Sequence, residues 1–118
     1  GLESMLAAVQ MLKETPGERH IAVLGTMKEL GEYSAQLHRQ VGEKVQELDL
    51  DLLLVLADEA ATEKIALGAG NIPTECFSDR ASLTNKLKAI MRSGDRILCK
   101  ASNSVGLNKV VEELVIND

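Results

Sequence analysis

An α/β fold follows from three observations: an unbroken apolar run at 52–56, helical spacings of three and four in the stretches around it, and a turn signal at most changeovers. A strand buried on both faces, as in a parallel sheet, reads as a continuous apolar run, and Leu52-Leu53-Leu54-Val55-Leu56 is one. Short strands alternating with helices of about ten residues close into a parallel sheet through right-handed crossovers, with helices on both faces.

Leu2, Met5, Leu6, Val9 and Leu12 recur every three or four residues and predict a first helix. It ends at the turn Thr15-Pro16-Gly17-Glu18, because proline cannot continue a helix and glycine suits its C-terminus. His20 to Leu24 is short, apolar and β-branched, so it reads as a strand. A helix from Ser34 to Leu48 carries Leu37, Val41, Val45 and Leu48 on one stripe, with Ser34 suited to the N-cap. Asp51 to Ala57 is the buried strand. Asp58 to Leu67 reads as a modest helix stopped by Gly68 and Gly70, and Pro73 to Phe77 as a short strand with proline at its edge.

Ser78 or Asp79 caps the next helix, whose inner stripe is Leu83, Leu87, Ile90 and Met91 and whose stop is Gly94. Arg96 to Lys100 is the last strand, and Leu107, Val110, Val111 and Leu114 face inward on a final helix. The order α-β-α-β-α-β-α-β-α over residues 1–118 describes a single three-layer, Rossmann-like domain with a mainly parallel sheet of about four strands, expected in the order 3-2-1-4.

Composition narrows the function classes. The 118 residues suffice for one hydrophobic core, and 45% apolar with 26% charged residues is ordinary for a globular domain. Tyr33 and Phe77 are the only aromatic residues, so the core is aliphatic and the stacking platforms of single-stranded nucleic-acid binders are lacking. A net charge of -5 offers no broad basic face to a phosphate backbone, which argues against a nucleic-acid partner. Cys76 and Cys99 lie far apart in apolar segments, without C-x-x-C or metal spacing, and read as small buried hydrophobes in a reducing compartment. No run approaches the roughly 20 apolar residues of a membrane helix, and no signal-peptide pattern precedes the first helix. A cytoplasmic protein without a membrane partner is therefore expected.

In an open α/β sheet, ligands sit beyond the C-terminal ends of the strands where the strand order reverses. With the order 3-2-1-4, the exits Gly25-Thr26 and Lys100-Ala101-Ser102 lie side by side. Gly25 and Gly31 bound a five-residue loop that is neither G-x-G-x-x-G nor a Walker A motif, and taken alone they serve backbone conformation. Lys100 ends a buried strand, so its ammonium either enters the cleft or snorkels to the surface. Ser102 or Ser104 suits the cap of the last helix, whose N-terminus is also an anion site. His38, one residue from an apolar stripe, reads as a hydrogen-bonding partner for the loop rather than a catalytic base. His20 lies at the far end of the sheet, with no functional part expected.

Two segments carry a family resemblance. Val23-Leu24-Gly25-Thr26-Met27-Lys28-Glu29-Leu30-Gly31-Glu32-Tyr33-Ser34 is followed by His38 and Val41-Gly42, and near the other end stands Ile97-Leu98-Cys99-Lys100-Ala101-Ser102-Asn103-Ser104-Val105-Gly106-Leu107. In content, order and separation they resemble the C-terminal domain of the Mur ligases, in particular the branch that adds D-alanyl-D-alanine, and the second resembles that family's K-G-S-R-type loop. Gly1-Leu2 would then stand where the relatives have the Asn-Pro pair of a hinge, and the chain would be one domain of a three-domain enzyme.

That family joins an amino acid or dipeptide to a UDP-linked muramyl peptide, ATP first phosphorylating the peptide carboxylate. The resemblance implies that ATP and magnesium act in the full-length enzyme, where a central domain holds the P-loop, the metal and a modified lysine. None of these would be bound tightly by this domain alone, which should be inactive by itself. D-alanyl-D-alanine, UDP-muramyl tripeptide and ATP would be shared with the N-terminal and central domains. Lys100 and Ser102, with backbone N–H groups of Ala101 and Asn103, would hold the dipeptide carboxylate, while Thr26, Lys28 and Glu29 line the facing loop and Gly25, Gly31 and His38 support it.

Most relatives have Asp at Thr26, Gly at Ala101 and Arg at Asn103. An asparagine cannot make the bidentate carboxylate clamp of an arginine, so either Lys100 takes over or the added group differs. A phosphorelay receiver domain has this size and order, but it needs an acidic pair after the first strand, where this chain has Leu24-Gly25-Thr26. A stand-alone small-molecule or nucleotide-binding regulatory module is the remaining alternative, and a Walker-type sequence in a preceding segment would decide against it.

Overall fold

In the computed structural model of the chain, the structure describes residues 1–101. Helix α1 (Leu2–Glu14) leads into β1 (Arg19–Gly25), and a single 3-10 turn, Gly31–Tyr33, feeds α2 (Ser34–Glu47). Then come β2 (Leu52–Leu56), a 3-10 turn at Ala60–Glu63, α3 (Lys64–Gly68), β3 (Thr74–Phe77), α4 (Arg80–Ile90) and β4 (Asp95–Lys100). The four strands form one sheet in the order β3-β2-β1-β4 with every pairing parallel, as the sequence predicts.

The apolar run of β2 alternates between two cores because successive side chains leave opposite faces of the sheet. Leu53 and Val55, with Ala22 and Leu24 of β1, meet Met5, Val9 and Leu12 of α1, Val41 and Val45 of α2 and Ile65 of α3. Leu54 and Leu56, with Ile21 and Val23, meet Leu83 and Leu87 of α4. Helices therefore cover both faces. Gly42 and Gly68 set the separation of α2 and α3: a Cβ on Gly42 would strike the backbone carbonyl of Ile65, and one on Gly68 that of Arg39.

Several expectations need correction. Ser34 is not the N-cap of α2. The preceding 3-10 turn places Tyr33 there in helical conformation without a side-chain cap, and the Ser34 carbonyl instead accepts a hydrogen bond from His38. The stretch from Asp58 begins extended and passes through the 3-10 turn, so only Lys64–Gly68 is α-helical. Helix α4 stops at Ile90, four residues before Gly94, because Arg19 takes the Ile90 carbonyl and Asp95 takes the Arg92 N–H, closing the turn into β4. Met91 is consequently exposed rather than inward.

Cys76 lies exposed on β3, an edge strand, so the reading of both cysteines as buried holds for neither without change. Cys99 is half-buried, and burial pushes its thiol up to about 11. Asp79 does cap α4, accepting the Ser82 N–H at 2.8 Å. The predicted final helix, with Leu107, Val110, Val111 and Leu114, lies outside the described residues.

Candidate functional site

The parallel register puts Leu24 opposite Lys100, and Gly25 opposite Leu56, so the chain leaves β1, β4 and β2 at one end of the sheet. After Gly25 the loop turns through two left-handed residues, Glu29 and Gly31, both at φ 61. For Gly31 this costs nothing sterically, whereas Glu29 holds a conformation that a side chain disfavours. Glu29 itself is exposed and stands apart from the cavity described below.

The first residue of the loop is fully buried. Thr26 Oγ1 donates to Asp58, and its oxygen lies 2.6 Å from Thr62 Oγ1. With its own proton committed to the carboxylate, the Thr26 oxygen takes the proton of Thr62, and both buried hydroxyls are satisfied. Asp58 in turn receives the Lys28 ammonium at 3.0 Å, with Glu59 3.7 Å from the same nitrogen. Burial pushes the Asp58 pKa up, but the Thr26 hydroxyl and the Lys28 ammonium outweigh it and hold the carboxyl below the ordinary aspartate value. Lys28 is correspondingly raised, first of all by its bond to Asp58.

The loop is fastened on its other side by His38, which is fully buried on α2. The Met27 N–H donates to His38 Nε2 at 2.9 Å, and His38 Nδ1 lies 2.8 Å from the Ser34 carbonyl. An acceptor role for Nε2 and a donor role for Nδ1 define one neutral tautomer, in which His38 holds the Met27 N–H of the loop. His20, by contrast, lies in β1 near the opposite end of the sheet and bonds the Thr15 carbonyl.

Between these exits is a cavity of about 80 Å³. Met27 and Lys28 of the loop, Lys100 and Ala101 at the end of β4, and Gly1, Ser4 and Met5 of the first turn of α1 line it. Thus the structure brings Lys28, Lys100 and Ala101 together. Thr26 stands behind the loop rather than in its wall, and its hydroxyl is spent on Asp58 and Thr62. Ser102 and Asn103 lie outside the described residues.

Asp58 and Thr62 are members of the site that sequence reasoning did not single out. A signal was present: Asp58 is an acidic residue just past the end of β2, whose last residue, Leu56, pairs with Gly25, the residue before Thr26.

The cavity is far smaller than the roughly 300–1,000 Å³ of a site that encloses a whole ligand, so it suits one ionic end-group and cannot enclose a nucleotide. Among the described residues no group of three or more His, Cys, Asp or Glu side chains could hold a metal ion.

Comparisons with known proteins agree on a family. The profile of the family described as "Mur ligase, glutamate ligase domain" matches residues 2–103. The chain is 53% identical, over 98% of its length, to the UDP-N-acetylmuramoyl-tripeptide--D-alanyl-D-alanine ligase of a Synechocystis strain, and 37% identical, over 97%, to that of Escherichia coli K12. It spans 25% of the length of each. Among solved structures it is similar to the MurF ligase of Thermotoga maritima in complex with ADP, with a TM-score of 0.76, 29% identity, and coverage of 95% of this chain and 25% of that one. A domain from a Haemophilus ducreyi protein, at 14% identity and a TM-score of 0.69, shares the fold.

Proposed function

Because this chain belongs to the Mur ligase family by its glutamate ligase domain, we propose that it is the C-terminal, substrate-binding domain of a ligase that joins D-alanyl-D-alanine to a UDP-muramyl tripeptide through an acyl phosphate. The observation that carries this reading is the small cavity at the exits of β1 and β4, where two lysines from different elements face one space. A cavity of that size and charge suits the carboxylate of the incoming dipeptide and leaves its amine directed outward. The names of the relatives support the dipeptide as the added group.

In this reading ATP and magnesium are held by other domains of the full-length, ATP-dependent enzyme, and the reaction is a cytoplasmic step of peptidoglycan precursor synthesis. Lys100 and Ala101 meet the dipeptide, Ser102 and Asn103 take part as the family resemblance implies, and Thr26 acts from behind through Asp58. Among the described residues no helix is long and apolar enough to cross a membrane. Nothing in the geometry favours a stand-alone regulatory module.

The test is turnover by the full-length protein carrying this domain. With ATP, magnesium, UDP-muramyl tripeptide and D-alanyl-D-alanine it should release phosphate and yield the pentapeptide, read by mass spectrometry. Turnover with a single amino acid, and none with the dipeptide, would assign a different added group.

A further inference from the structure

We propose that Asp58 and Thr62, which follow β2, are positioning residues for the loop that follows β1: they latch its first residue, Thr26, and so set the wall that the loop gives to the cavity. The latch is independent of any ligand, and its effect on the reaction rests on the function proposed above.

Thr26 does not line the cavity, and its hydroxyl is buried in a hydrogen-bond chain with one direction. An ionised carboxylate only accepts, so Thr26 donates to Asp58 and takes the proton of Thr62 across 2.6 Å. The chain is complete only while position 58 offers an acceptor. Thr62 is fully buried in the 3-10 turn Ala60–Glu63, which fixes the far end of the chain. Asp58 also bonds the Lys28 ammonium at 3.0 Å, so one carboxylate grips the loop at two places.

The residue between those two grips is held from another element. The Met27 N–H donates to His38 Nε2 on α2 at 2.9 Å. Three consecutive loop residues are thus tied alternately to the β2 exit and to α2, which leaves the backbone one seat. Glu29 follows at once with a φ of 61°, a left-handed conformation that a side chain disfavours. Such a conformation persists where the surroundings over-determine it, and the anchors just before Glu29 supply that constraint. Met27 and Lys28 both line the cavity, so a shift of this seat reshapes its wall.

The experiment is amide hydrogen exchange, read by nuclear magnetic resonance on the isotope-labelled 118-residue chain and on its variants Thr26→Val, Thr26→Ser and Asp58→Ala. Valine keeps the shape of threonine without the donor, and serine keeps the donor. Exchange at Met27, taken relative to Val23 in the sheet so that a weakened fold is not mistaken for a loosened loop, should rise about 10-fold in Thr26→Val and Asp58→Ala and stay within about threefold in Thr26→Ser. The ring nitrogen signals of His38 should change in the first two variants and not in the third. In the full-length protein, Thr26→Val should raise KM for D-alanyl-D-alanine about 5-fold with kcat within about twofold, and Thr26→Ser should restore it. Unchanged relative exchange at Met27 in both Thr26→Val and Asp58→Ala would overturn the latch and leave His38 as the anchor. A loosened loop with an unchanged KM would overturn the positioning role. Failure of the parent to turn over the dipeptide would strike the proposed function and leave the latch to stand or fall on the exchange rates.

Discussion

Asp95 shows how one side chain can hold several elements. Its two oxygens receive Arg19 Nε at 2.8 Å and Nη2 at 2.7 Å, and one of them also receives the Arg92 N–H, while the same Arg19 nitrogen reaches the Ile90 carbonyl. Arg19 and Asp95 are directly paired in the sheet, so the fork ties the start of β4 to β1 and to the end of α4. The Asp95 side chain is only 3% exposed, and Arg19 above all holds its carboxyl below the usual 3.8, against the upward push of burial. A depressed folded-state pKa contributes stability that is complete above the unfolded value of about 4 and is lost as pH falls through the folded one. Asp95→Asn should therefore cost about 2 kcal/mol near neutrality. Thermal midpoints against pH should show a constant gap to the parent above about pH 5 that narrows below about pH 4. A gap that persists unchanged to the lowest accessible pH would mean that the charge does not matter. In sequence neither residue announces this pairing, because Arg19 and Asp95 are 76 positions apart and only the strand register makes them neighbours. Thr26 was legible as a residue of the strand exit but not as a buried hydroxyl, since its orientation depends on Asp58 and Thr62 in another loop.

At the scale of elements, the close approach of α2 and α3 rests on missing side chains. Gly42 lies against the Ile65 carbonyl and Gly68 against that of Arg39, so backbone meets backbone across the pair. Gly42→Ala gains up to about 1 kcal/mol of helix propensity. Overpacking against a carbonyl that cannot rotate away costs about 1 to 3 kcal/mol, and it should win because Gly42 is buried. Calorimetry should show a midpoint lowered by about 4–8 °C per kcal/mol of net loss, and a raised midpoint would show that α2 and α3 can separate at little cost. Sequence located both glycines but assigned Gly68 only to a helix end, since periodicity reports which face of a helix is apolar and not how near its neighbour comes. The strands were legible to within a residue or two, because their short apolar runs are bounded by turns. The helix ends were less so: α4 is stopped by Arg19 and Asp95, which are tertiary partners, and α2 is entered through a 3-10 turn that no cap residue signals.

For the molecule as a whole, the sheet order was readable from connection rules, and it alone brought Gly25 and Lys100 to one end. The chemistry gathered there is partial. The cavity accepts one end-group, the carboxylate of Asp58 is engaged by Thr26 and Lys28, and the chain spans a quarter of the length of its relatives. On the proposed function, acyl-phosphate chemistry calls for phosphate positioning and metal electrostatics that other domains would supply. The 118-residue chain by itself should thus fold cooperatively, since two cores close against one sheet, and yet hydrolyse no ATP and form no amide bond. Its affinity for ATP with magnesium, and for D-alanyl-D-alanine, should be no better than about millimolar, because a ligand held at one end cannot repay the freedom it loses. Isothermal titration with each ligand measures this directly. Micromolar binding of ATP would mean that a nucleotide site is complete within this one domain, and the division of labour with other domains would fall.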